Sequence, residues 1–114
     1  MMKQGEIWNI SLSKNHKTDG GAKYPVIVIN DDIISILPVR VIVPLTKWQD
    51  EFDDAIWLIR VDPNNENNLG RTSAVDAFQM HTLPITRFIK KIGTVSVQEL
   101  QHIKNAIKAI INAE

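Results

Sequence analysis

The sequence predicts a mainly β fold finished by one C-terminal α-helix, either a small antiparallel β-barrel or a strongly curved antiparallel sheet. Three observations lead there. Glu6 to Leu12, EIWNISL, alternates apolar and polar residues at the strand period. Val26 to Ile29 are four consecutive β-branched residues, a run suited to a strand buried on both faces. From Val97 onward, Leu100, Ile103, Ile107 and Ile110 recur every three or four residues, the period of a helix with one apolar stripe.

The elements follow in chain order. The strand at 6–12 turns Ile7, Ile10 and Leu12 inward, and a polar loop over 13–24 leads into the second strand, PVIVIN. DDIISIL, 31–37, fits a short helix or a wide loop equally. Pro38 to Thr46 forms a third strand bounded by Pro38 and Pro44, because a residue without an N–H suits a strand end. KWQDEFDD is a polar connection with room for one helical turn, and Ala55 to Val61 is a fourth strand. DPNNENNLG is a turn, rich in the residues that close turns through side-chain bonds or positive φ. RTSAVDAFQMHTL supplies one or two strands ended by Pro84, and a last short strand lies near Ile89 to Thr94. Ser96 to Glu99, SVQE, is a capping box that starts a helix over about 96–113. Lys104 and Lys108 lie off the apolar stripe in the half where cations suit the helix dipole.

The 114 residues suit a single domain, 1–114, with no repeat or linker. Lys plus Arg and Asp plus Glu both number 13, so net charge excludes nothing about partners, and a local basic face remains open. Without cysteine there are no disulfides, zinc–thiolate sites or thiol nucleophiles. MMKQGEIWN lacks the apolar core of a signal peptide, and no apolar run approaches the roughly 18 residues of a membrane span. The expectation is a soluble cytoplasmic protein without membrane contact, metal or cofactor.

No phosphate loop, dinucleotide fingerprint, zinc-protease helix or nucleophile elbow is present. Chemistry has three candidate places. The 13–24 loop carries Lys14, His16, Lys17 and Lys23 around Gly20 and Gly21, which permit close backbone approach to a phosphate. A glycine turn with solvated lysines has the same composition. Thr46, Lys47 and Trp48 follow a buried strand, where a hydroxyl can hold phosphate and an indole can stack on a base; read alone, a turn cap at Thr46 and a core cover at Trp48 fit better. Arg71, Asp76, Gln79, His81 and Thr82 crowd one half-buried segment, so they pair together, meet solvent or line a groove. Strict alternation there puts Asp76 and Phe78 on one face and Ala77, Gln79 and His81 on the other.

In order and spacing, GEIWNISL, a polar glycine-bearing loop, PVIVIN, VIVPLT, QMHTL and an amphipathic C-terminal helix resemble the MazF/PemK family of toxin endoribonucleases. The resemblance spans nearly the whole chain. It implies a homodimeric SH3-like toxin that cuts single-stranded RNA without a metal and is neutralised by an antitoxin with an acidic flexible tail. In such cleavage the ribose 2′-hydroxyl attacks the adjacent phosphate, which calls for a base, an acid and a cation. The family threonine carries over as Thr46. The family arginine before the strand proline does not, because Tyr24 stands there with Lys23 one residue earlier. His81 replaces the arginine of the Gln-x-Arg-Thr segment, and an imidazole can exchange protons near neutral pH. The implied catalytic set is Lys23, Thr46, His81 and Asp76. His16, Lys17, Gly20, Gly21, Tyr24, Lys47, Trp48, Arg71 and Gln79 are the implied RNA contacts. All are expected on one concave cationic wall. The alternatives are a family member that only binds RNA or protein, and a CcdB-like gyrase poison, whose usual Trp-Gly-Ile ending differs from IINAE here.

Overall fold

The computed structural model describes residues 2–11 and 23–113. Its strands are β1 (Glu6–Ile10), β2 (Tyr24–Val28), β3 (Val39–Lys47), β4 (Leu58–Val61), β5 (Ser73–Asp76), β6 (His81–Pro84) and β7 (Phe88–Thr94), followed by the helix α1 (Val97–Ile110). All pairings are antiparallel and run in the order β4-β5-β3-β2-β1-β7, with β6 also on β3. That order has two ends, so the curved-sheet form of the expectation is the one observed.

Alternation along the strands builds two cores. Inward residues Ile7, Ile27, Val43, Leu45, Val61 and Val75 meet Val95 and Ile103 under the helix. Outward residues Ile10, Val26, Val28 and Ile42 pack with Met2, Leu83 and Phe88. The β-branched run of β2 is thus buried on both faces, as its composition predicts. Arg40 is buried too, but its guanidinium donates to the carbonyls of Met2 at 3.1 Å, Leu37 at 2.9 Å and Val39 at 2.8 Å. A buried cation with its donors satisfied in this way is structural.

β3 is the axis of the sheet. One edge pairs with β2; the other takes β6 over Val39 to Ile42 and then β5 over Leu45 to Lys47. Pro44 therefore lies inside β3 and not at its end. Its missing N–H falls where neither β5 nor β6 is paired, which is how a central strand accommodates it.

The loop after β4 spans the gap between the sheet's ends. Thr94 N–H donates to the Glu66 carbonyl at 3.0 Å, and Asn68 Nδ2 donates to the Ile92 carbonyl at 2.9 Å. Fully buried Asn67 braces the loop: its Oδ1 accepts from Asn64 and Leu69, and its Nδ2 donates to the Asp62 carbonyl. Gly93 permits the approach, since a Cβ there would lie 2.3 Å from the Glu66 carbonyl oxygen.

Several boundaries differ from expectation. Ala55 to Trp57 precede β4 in a turn, leaving Ile56 and Trp57 exposed. The 31–37 segment holds one 3-10 turn, Asp32–Ile34, capped by Asp31. The capping box is present in both directions, with Glu99 N–H to Ser96 Oγ at 3.0 Å and Ser96 N–H to Glu99 Oε1 at 2.9 Å. The helix ends at Ile110, and Val97 in its first turn is exposed because contact with the core begins beyond it.

Candidate nucleic-acid interface

Register decides which candidate residues share a face, because directly opposed residues of an antiparallel pair point the same way. Thr46 is opposite Ala74, which is opposite Arg60 on β4. Val26 is opposite Pro44, so Tyr24, two residues before, and Thr46, two residues after, share a row. The outward face thus carries a transverse row of Tyr24, Thr46, Ala74 and Arg60. Tyr24, Thr46 and Arg60 are exposed, whereas Ala74 is small and buried.

Further along β3, His81 is opposite Ile42, on the same outward face but four residues from Thr46, or about 13 Å along the strand. Asp76 lies between these levels, next to Val75, which pairs with Leu45. The polar groups therefore form a strip rather than a point.

The expected alternation through 76–81 is overturned. A 3-10 turn, Ala77–Gln79, separates β5 from β6, and Asp76 initiates it by accepting from the Phe78 amide at 3.1 Å. A short polar side chain bonded two residues ahead competes with the ladder and breaks the strand period. Asp76 Oδ2 also accepts from Gln79 Nε2 at 2.6 Å, and the Gln79 carbonyl lies 2.8 Å from His81 Nδ1. A carbonyl only accepts, so Nδ1 carries the proton and exposed His81 presents Nε2 outward.

The lysines fall elsewhere. Lys47 alternates with Thr46 and is opposite Ser73, on the inward side. Lys23 is exposed just ahead of β2, outside its paired residues. Arg71 is exposed in the turn ahead of β5. His16, Lys17, Gly20 and Gly21 lie outside the described residues. The structure thus groups Tyr24, Thr46, Asp76, Gln79 and His81 on the outward side, separate from Lys47.

Trp48 is half-buried beyond Thr46. Its amide donates to the Thr72 carbonyl at 3.1 Å, and its ring meets Phe52 edge-on with centroids 5.8 Å apart. The Arg60 guanidinium lies 5.7 Å from the Trp48 ring centroid. Reasoning from the sequence missed Arg60, whose place beside Thr46 emerges only from β3 and β4 flanking the same short strand.

Recesses occur elsewhere on the surface. One of about 330 Å³ is lined by Trp57 and Phe78, and one of about 430 Å³ by Asn9, Asn68, Lys90, Lys91 and Ile92. Among the described residues no group of three or more His, Asp or Glu is placed to hold a metal ion, and no helix is long and apolar enough to cross a membrane.

Known proteins share this fold. Residues 3–111 match the family model for the PemK-like, MazF-like toxin of type II toxin–antitoxin systems. Among solved structures, the chain is similar to a mycobacterial endoribonuclease in complex with its cognate antitoxin, with a TM-score of 0.77, 15% identity, and coverage of 98% of this chain and 96% of that one. It is also similar to the Mycobacterium tuberculosis toxin MazF-mt6, with a TM-score of 0.75, 17% identity, and coverage of 96% and 98%. The MazE–MazF complex of Deinococcus radiodurans gives a TM-score of 0.74 at 12% identity, covering 98% and 96%. No curated protein sequence matches the chain.

Proposed function

The chain belongs to the PemK-like, MazF-like toxin family of type II toxin–antitoxin systems, and on that premise we propose that it is a metal-independent endoribonuclease acting on single-stranded RNA in the cytoplasm. The observation that carries this reading is the outward strip from Tyr24 and Thr46 through Asp76 and Gln79 to His81. Its length of about 13 Å suits an extended strand engaging more than one nucleotide.

In this reading Thr46 holds the scissile phosphate through its hydroxyl, and Tyr24 offers a ring for base stacking. His81 exchanges a proton through Nε2 while the Gln79 carbonyl fixes its other nitrogen. Both Asp76 oxygens accept hydrogen bonds within the turn, so Asp76 positions Gln79 and through it His81. Attack by the 2′-hydroxyl forms a cyclic phosphate as the 5′-oxygen leaves with a proton. Lys23, Lys47, Arg71 and the 16–21 loop add general attraction for the polyanion.

The partners follow from the same family. Ile33, Ile34, Ile36 and Leu37 form an exposed apolar run, which supports burial in a homodimer. An antitoxin with an acidic tail is the expected inhibitor, and two of the similar structures are complexes with antitoxins.

The test is incubation of the pure protein with single-stranded RNA in excess chelator. New ends bearing 2′,3′-cyclic phosphate are expected. RNA left intact by a large excess of protein removes the nuclease reading. Tyr24 in the arginine position favours a second reading, a member that binds RNA without cutting it. That protein would show salt-sensitive binding and no new ends.

A further inference from the structure

We propose that Arg60, clamped between Asp62 and Trp48, is the phosphate-binding cation of the outward strip. The proposal deepens the nuclease reading, since it supplies the positive charge that the motif position at Tyr24 lacks. Three observations support it. Arg60 shares the transverse row of Thr46 across buried Ala74, with backbones about 10 Å apart at two strand spacings. An arginine and a threonine hydroxyl can meet one phosphodiester across that gap. Lys47 does not occupy this face by register.

The guanidinium is also held in place. Its Nε donates to Asp62 Oδ1 at 3.1 Å, and the same oxygen accepts from the Thr72 hydroxyl at 3.0 Å. Those two bonds, with that from Arg60 foremost, keep the Asp62 carboxyl below its ordinary value, so it stays ionised as an anchor. The Trp48 ring lies 5.7 Å from the guanidinium carbon, within cation–π range. Among the described residues neither Nη group has a partner, so the fork remains available for two parallel bonds to phosphate.

A bland reading makes the Arg60–Asp62 contact an ordinary surface ion pair. Pairs this exposed contribute little to stability, so stability alone does not explain the added hydroxyl and indole. Asp50, Glu51, Asp53 and Asp54 flank Phe52, whose ring meets Trp48 edge-on.

The experiment uses two probes with the full chain: a single-stranded oligoribonucleotide blocked by 2′-O-methyl groups for binding, and the unblocked oligonucleotide for single-turnover cleavage. Arg60→Ala is expected to slow cleavage by about a hundredfold, the scale of one lost charge-stabilising donor. It should also flatten the dependence of log affinity on log salt by about 0.7, the contribution of one phosphate contact on a single strand. Arg60→Lys keeps the charge without the fork and should stay within about threefold of the alanine variant in cleavage. Asp62→Asn should fall between wild type and Arg60→Ala. Unchanged thermal unfolding midpoints confirm that the variants fold. If wild type cuts RNA and Arg60→Ala cuts equally well, the Arg60 site is wrong and the nuclease reading survives. If wild type binds without cutting and Arg60→Ala flattens the salt dependence, the nuclease reading fails and the phosphate site stands. If wild type neither binds nor cuts, both fall.

Discussion

On β3 the inward residues Val43 and Leu45 are buried among Ile27, Val61 and Val75, whereas the outward residues run from buried Ile42 through half-buried Pro44 to exposed Thr46. The inward side of β3 is thus buried at Val43 and Leu45, whereas its outward side passes from a second core to solvent. Residues adjacent in sequence, Thr46 and Lys47, are thereby assigned to different surfaces. Residues distant in sequence, Thr46 and Arg60, become neighbours.

The largest effect breaks the inward side. Ile27→Ala removes a fully buried side chain and should lower unfolding free energy by about 2–5 kcal/mol in denaturant titration. A smaller loss than that would mean the inward core tolerates a vacancy. Next comes the contrast that tests the division of faces. Thr46→Ala should reduce kcat/KM for RNA cleavage by about a hundredfold or more. Lys47→Ala should reduce it by no more than about threefold, as one lost general charge contact does. Equal losses at the two positions would erase the division.

Gly93→Ala addresses how the sheet curls. The added methyl meets the Glu66 and Asn67 carbonyl oxygens, and a cost of about 1–3 kcal/mol should appear in thermal unfolding. The smallest effect belongs to the β1–β7 edge. Burial pushes the Glu6 carboxyl up, but hydrogen bonds from the Trp8 indole, the Lys3 amide and Lys91, with the Lys91 charge, leave it below its ordinary 4.5. A depressed folded value stabilises the fold above pH 4.5, and that stability is lost as pH falls through the folded value. Glu6→Gln should therefore cost no more than about 1 kcal/mol at neutral pH, and the gap should close in acid. A gap independent of pH would rule out the ionised carboxylate as its source.

Legibility in the sequence followed how local the signal was. The β-branched run of β2 and the box at Ser96 and Glu99 are each complete within a few residues, and both are present in the structure. The two strands and Pro84 boundary of the 71–84 segment are legible, but apolar alternation cannot reveal the Asp76 bond to the Phe78 amide that resets the faces between them. An aspartate two residues ahead of an aromatic amide is a turn signal, but it also fits a strand's polar face. Ile56 and Trp57 looked like strand interior because hydrophobicity does not distinguish a buried strand from an exposed surface. The row joining Thr46 to Arg60 depends on long-range pairing of three strands, for which no local pattern exists.

The loop at 62–70, seated against β7 by amides rather than by a strand ladder, carries a geometric consequence. A fully laddered barrel ties its girth to a whole number of strands and a fixed stagger between them. Here a braced turn bridges the sheet's two ends through the Thr94 and Asn68 hydrogen bonds, so no strand register ties β4 to β7.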